Sequence, residues 1–185
     1  GDVECRKSTS GFICLLNGGP VHWSSVCQKV TALSSTEAEY MSMSDALREV
    51  LWFRPLLVNL GFEQPGPTRL LVDNAGAVAL SDNPEFHKRT KHIAVKFHRI
   101  REEQEVSTIK VEWIKSESQL ADFLTKKLSG QKLQRNLDLL GIYRFGQEEV
   151  FGMMSTSVLS VIESCTRTRQ WLTPELVSHV CTLSS

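Results

Sequence analysis

Leu33-Ser34-Ser35-Thr36-Glu37-Ala38-Glu39-Tyr40 is the stretch at which this 185-residue chain changes from alternating to helical patterning. Ser35 or Thr36 is the expected N-cap, and Glu37 and Glu39 fall in the first turn, where the helix dipole favours acids. The helix should run to about Leu60, because Gly61 supplies a C-terminal stop. Pro55 inside it is expected to kink it or divide it in two.

Upstream, residues 10–17 form a short apolar run closed by Asn17-Gly18-Gly19, a strand followed by a hairpin turn. Residues 21–26 alternate and continue as the second hairpin strand. Downstream, residues 68–73 read as a buried strand and 74–81 as a short helix that stops ahead of Pro84. A basic helix-like stretch follows, then a strand over 108–114 and a helix from 118 to about 128. Strand pair, helix, strand, helix, strand, helix is an α/β pattern. Trp23, Trp52 and Trp113 sit in apolar runs and are expected in the core.

Composition narrows the class further. With 41% hydrophobic and 23% charged residues, the chain fits a globular domain with an appendage. Twenty-one basic residues balance twenty-one acidic ones, so any electrostatic signal must be local. Cys5, Cys14, Cys27, Cys165 and Cys181 are scattered with no C-x-x-C spacing, which argues against a disulfide framework and suits an intracellular, reducing setting. No apolar run approaches the roughly 18–20 residues that cross a bilayer. The chain opens Gly-Asp-Val-Glu, without an initiator Met or a secretory leader, and is expected to be a fragment or a cleaved product. A boundary is expected near Phe145, dividing a domain over 1–145 from a Ser/Thr-rich tail over 146–185. The tail carries two helix signals, Val158-Val161-Ile162-Cys165 at helical spacing and the Thr173-Pro174-Glu175 start.

Three carboxylates stand where element type changes: Glu39 and Asp122 in first helical turns, Asp73 at a strand end. Such positions open onto one crevice in open α/β sheets. Converging carboxylates without His or Cys partners make the hard-oxygen environment that magnesium prefers, and pairs of such ions serve phosphodiester hydrolysis. The competing explanation is structural, since any acid near a helix N-terminus is favoured by the dipole.

Five words occur in order: Arg6-Lys7-Ser8-Thr9-Ser10-Gly11, the Leu33–Tyr40 stretch, Val72-Asp73-Asn74, Arg89-Thr90-Lys91-His92-Ile93 and Gln119-Leu120-Ala121-Asp122-Phe123-Leu124-Thr125-Lys126. Together, and over residues 1–143, they resemble the ribonuclease H domain of copia-type LTR-retrotransposon Pol polyproteins. The resemblance implies an RNase H-like fold, a mixed sheet flanked by helices. It implies that Glu39, Asp73 and Asp122 are catalytic and metal-binding, with two Mg2+ ions cleaving the RNA strand of an RNA–DNA hybrid. Glu37 is read as a helix acid and not as a ligand.

One departure matters. In that family the first catalytic Asp lies on the first strand, in a segment of the type Asp-x-Asp-Trp-Ala-Gly-Asp. The chain begins at the final Gly-Asp, so Asp2 matches the trailing acid. The expectation is a sheet lacking its first, central strand, with a slot in the core and orphaned backbone groups unless something fills it. Cleavage by the chain alone should then be impaired and magnesium binding weak at most. The alternative is a non-catalytic relic or a co-opted nucleic-acid-binding or interaction module.

Residues 87–101 hold Lys88, Arg89, Lys91, Lys96, Arg99 and Arg101 with no acid, together with His87, His92 and His98. On a helix, Lys88, His92, Lys96 and Arg99 share one face, backed by Ile93, Phe97 and Ile100. A solvated amphipathic face is the plain reading. The resemblance favours a phosphate-contacting surface made by Lys88, Arg89, Lys91, His92, Lys96 and Arg99. The implied partners are an RNA–DNA hybrid or other nucleic acid and the reverse transcriptase region of the same polyprotein, with no membrane.

Overall fold

Asn17 and Gly18, at φ of 51° and 83°, turn the chain between two strands, β1 (Thr9–Leu16) and β2 (Gly19–Cys27). Two consecutive left-handed residues match the right-handed twist of a hairpin, and the Asn-Gly pair adopts them with least strain. In the computed structural model, residues 7–82, 94–142 and 176–183 are described.

Helix α1 (Ser35–Asn59) follows, capped one residue earlier than the sequence suggests. Ser34 Oγ accepts from Glu37 N at 3.1 Å, while Glu37 Oε2 accepts from Leu33 N at 2.7 Å. This reciprocal arrangement satisfies orphan N–H groups with both side chains, so Ser34 displaces Ser35 and Thr36 as the cap. At the other end Gly61 adopts φ 86°, and Phe62 N and Gly61 N bond to Leu57 O and Val58 O. That is the Schellman closure a glycine stop predicts. Pro55 does not divide the helix; α1 runs through it, with the proline on the exposed side.

The remaining elements are β3 (Thr68–Val72), α2 (Ala75–Asp82), α3 (Ala94–Glu105), β4 (Ile109–Trp113), α4 (Gly130–Leu139) and β5 (Leu176–Leu183). The helix expected over 118–128 is instead a pair of 3₁₀ turns, Ser116–Ser118 and Leu120–Leu124. Gln119 interrupts them: its side chain accepts from Ala121 N and its φ, ψ of −77° and 102° are extended. The regular helix starts later, behind the Ser129 cap.

The five strands form one mixed sheet in the order β2-β1-β5-β3-β4. Strand β5 is antiparallel to β1 along its whole length, from Thr9↔Leu183 to Leu16↔Leu176. It is parallel to β3, from Arg69↔Val177 to Val72↔Val180, and β3 is parallel to β4. The architecture is an α/β fold consistent with the RNase H-like expectation. The central position expected to be vacant is taken by the end of the tail. The second tail signal is therefore a strand and not a helix, because Leu176, Ser178 and Val180 alternate into a core that a helix could not enter. The first tail signal, at 158–165, lies outside the described residues.

Alternation puts two cores on the two faces. Phe12, Cys14, Leu70, Val72, Leu176 and Val180 pack against Tyr40, Met43, Leu47 and Val50 of α1 and Ile100 of α3. On the opposite face Ile13 and Leu15 meet Ala121 and Leu140. The three tryptophans are not in either core: Trp23, Trp52 and Trp113 are each more than half exposed. Trp23 and Trp113 stand on the edge strands β2 and β4, and Trp52 lies on the outer side of α1. Apolar runs do not by themselves say which strand will be an edge.

Because β5 is bonded on both sides, ending the chain after residue 175 should abolish the cooperative melt followed by circular dichroism. A synthetic peptide of residues 174–185 added to that shortened chain should restore it. Leu176→Ala, which empties a fully buried position, should cost about 2–5 kcal/mol in urea denaturation.

Candidate functional site

Strand β3 ends at Val72, and the next residue, Asp73, is held at the sheet's end by the last residue of β4 and the one after it. Trp113 Nε1 donates to Asp73 O at 3.2 Å, and Ile114 N donates to Val72 O at 2.9 Å. Asn74 then caps α2, its Oδ1 accepting from Ala77 N at 3.0 Å. A Cβ on Gly76 would lie 2.9 Å from Thr36 Oγ1, so any larger residue at 76 would force the Thr36 side chain to shift. Glu39, three residues beyond Thr36, shares its side of α1 and is buried.

Asp122 comes from the 3₁₀ turn on the opposite face of the sheet, and its carboxylate is almost fully buried. Both oxygens are engaged. Lys126 Nζ lies 2.8 Å from Oδ1, and Lys132 Nζ lies 2.9 Å from Oδ2. Lys126 Nζ is also 3.7 Å from Asp73 Oδ2, so one ammonium bridges the two aspartates. The structure thus joins Asp73 and Asp122 through Lys126. Glu37 is spent on the helix cap, as expected. Among the described residues, no group of three or more His, Cys, Asp or Glu is arranged to hold a metal ion.

The chemistry of the donor set agrees. Asp73, Asp122, Lys126 and Lys132 sum to zero charge, and magnesium, which takes carboxylate oxygens at about 2.0–2.1 Å, would have to displace an ammonium from Asp122. The central strand adds no acid: β5 reads Leu-Val-Ser-His-Val-Cys-Thr-Leu. Val180 pairs with Val72, so Cys181 follows in step with Asp73. The residues described do not fit two magnesium ions.

Behind the aspartates lies a polar brace that the sequence did not announce. Gln119 is fully buried and its Nε2 donates to Leu71 O at 3.2 Å and Val180 O at 2.7 Å. Its Oε1 accepts from Ala121 N and faces His179 Nδ1 at 3.2 Å. With the amide hydrogens committed to carbonyls, Oε1 must accept, which assigns the proton to Nδ1. Burial, aided by Arg69, pushes the His179 pKa down to about 4, so the ring is neutral. Cys14 meets Ser178 Oγ at 3.7 Å, and burial pushes its thiol up to about 11, which leaves it an inert core group.

Of the expected phosphate contacts, Lys88, Arg89, Lys91 and His92 lie outside the described residues. Lys96 belongs to α3, and its side chain is outside them too. Arg99 is exposed and pairs with Glu103 at 2.8 Å and Glu102 at 4.0 Å. Acids just beyond the basic run thus share its charge. Ile100 is buried, as the apolar stripe requires.

The chain is 40% identical over 144 residues, 78% of its length, to the Retrovirus-related Pol polyprotein from transposon RE1 of Arabidopsis thaliana, covering 10% of that protein. It is 37% identical over 143 residues, 77% of its length, to the Retrovirus-related Pol polyprotein from transposon TNT 1-94 of Nicotiana tabacum, covering 11% of it. A shorter match of 58% identity spans 52 residues, 28% of the chain and 37% of the Secreted RxLR effector protein 161 of Plasmopara viticola. The chain is homologous to a segment of retrotransposon Pol polyproteins and spans about a tenth of their length. No family model and no solved structure matches it.

The brace makes stability depend on pH. Unfolded, His179 titrates near its ordinary 6.5, and folded near 4, so between those values the unfolded chain binds the extra proton. Stability should fall as pH drops from 7 to 5, with a His179 share of about 2 kcal/mol. Urea midpoints of wild type and His179→Gln at both pH values measure that share, and equal losses in the two proteins would refute it.

Proposed function

We propose that this chain, a homologue of retrotransposon Pol polyprotein segments, is their RNase H-like domain and recognises RNA–DNA hybrids without efficient cleavage in the arrangement described. The observation that carries the reading is the 40% identity to a Pol polyprotein over 144 residues. It is joined by the mixed sheet with Asp73 at a strand end and Asp122 beside it. The five sequence words supply the finer assignment to ribonuclease H, with the reverse transcriptase region as its neighbour in the polyprotein. No helix among the described residues is long and apolar enough to cross a membrane.

Hybrid recognition would rest on the basic stretch from Lys88 to Arg99. Phosphates compete there with Glu102 and Glu103 for Arg99, so Lys96 and the residues before it would carry more of the contact. When bound, magnesium would supply an activated water and leaving-group stabilisation. Glu39, Asp73 and Asp122 are its candidate ligands by resemblance. Asp122 is instead saturated by two ammonium groups.

A second reading is a co-opted module with no nuclease role. The match to Secreted RxLR effector protein 161 favours it, because related sequence stands there in a protein not named as a polyprotein.

Two measurements separate these readings. Filter binding of the full chain to an RNA–DNA hybrid should weaken steeply with salt, and Lys96→Glu should lower the salt slope by about one unit. Arg99→Gln should act more weakly, since Glu103 already holds that guanidinium. Identical slopes in wild type and Lys96→Glu would remove the hybrid from the proposal and leave the co-opted module. On a labelled hybrid with magnesium, the full chain should cleave no faster than Asp73→Asn. Robust cleavage lost in that variant would restore an intact enzyme.

A further inference from the structure

We infer that Lys126 is a built-in counter-ion that keeps divalent cations out of the Asp73–Asp122 pair. Lys126 Nζ touches Asp122 Oδ1 at 2.8 Å and approaches Asp73 Oδ2 to 3.7 Å, so one positive charge already lies between the two carboxylates. Lys132 Nζ closes the remaining Asp122 oxygen at 2.9 Å. A cation entering there must displace an ammonium from a carboxylate that is almost entirely shielded from water.

Burial decides why the lysines stay. A carboxylate removed from water needs opposite charge or hydrogen-bond donors close by, and an ammonium provides both. Asp122 has two of them, and each lysine stem lies along the protein with about a third of its side chain exposed. Entropy favours the lysines as well, since they are tethered four and ten residues from Asp122 while a metal ion must be drawn from solution. Lys126 is the discriminating one because it alone of the two is paired with Asp73 as well.

The inference rests on these ion pairs and stands apart from hybrid recognition, so its test uses no nucleic acid. Manganese binding is read from water-proton relaxation of the full chain, of Lys126→Met, and of Lys126→Met combined with Asp73→Asn. Lys126→Met leaves the Lys132–Asp122 pair in place and so keeps a counter-ion on the buried carboxylate. It should bind Mn2+ at least about tenfold more tightly than wild type, the scale of removing one adjacent positive charge. Adding Asp73→Asn should return it to the wild-type level. Wild type binding as tightly as Lys126→Met would overturn the inference, and so would a Lys126→Met protein no better than wild type. A melt of wild type in millimolar MgCl2, matched in ionic strength with NaCl, guards against a misfolded variant. An unchanged Tm supports the counter-ion, and a rise of several degrees overturns it.

Discussion

Strand β5 is hydrogen-bonded along both edges, and the sheet is continuous only through it. Without Leu176–Leu183, β2-β1 would be a hairpin and β3-β4 a separate parallel pair, each with a row of unpaired backbone groups. Two-stranded units of either kind are marginal in water. The same strand fills the cores on both faces, with Leu176 and Val180 toward α1 and His179 toward Gln119. Its register passes on to the site. Gln119 Nε2 ties Val180 O to Leu71 O, and the bonded Gln119 sets where the following 3₁₀ turn begins, and with it Asp122. A carboxylate two-thirds of the way along the chain is thus positioned by a strand more than fifty residues further on.

The legibility of the fold tracks how local its causes are. The hairpin, α1, β3, α2 and β4 all lie within a residue or two of where turn residues and periodicity put them, because each is decided by neighbours in sequence. The cap moved from Ser35 or Thr36 to Ser34 because the competition was settled by the Glu37 side chain reaching back to Leu33 N. What failed depends on distant partners. The 118–128 segment has helical composition, yet Gln119 spends its side chain on two strands and leaves the first turns 3₁₀. The tail's helix start at Thr173-Pro174-Glu175 says nothing of the gap between β1 and β3 that selects an extended chain. Asp73 and Asp122 are marked by position, and Lys126 stands at the i+4 spacing that lets it reach Asp122. Lys132, Gln119 and His179 carry no comparable local mark.

Charge around the aspartates follows from burial rather than from any one ligand. A carboxylate as enclosed as Asp122 requires compensation, and breaking a buried ion pair by removing one partner typically costs about 3–5 kcal/mol. Lysines from the same chain meet that requirement whether or not a cation is ever present. Glu39 differs because it approaches from α1, on the other face of the sheet.

The order of synthesis adds a further constraint. Every element up to α4 is complete before the strand that joins them, and its pairings link residues such as Thr9 and Leu183 across nearly the whole chain. Long-range pairings of this kind are slow to form, since the entropy of closing the loop is lost before any contact rewards it. Until β5 docks, the inner edges of β1 and β3 have no partner in the final sheet, and such edges are templates for any other extended chain. The alternating pattern of Leu176, Ser178 and Val180 fits the α1 side of that gap, and Gln119 adds a second criterion by bonding the backbone at Val180. Selecting the right strand therefore falls to side-chain complementarity on one face and a single buried amide on the other.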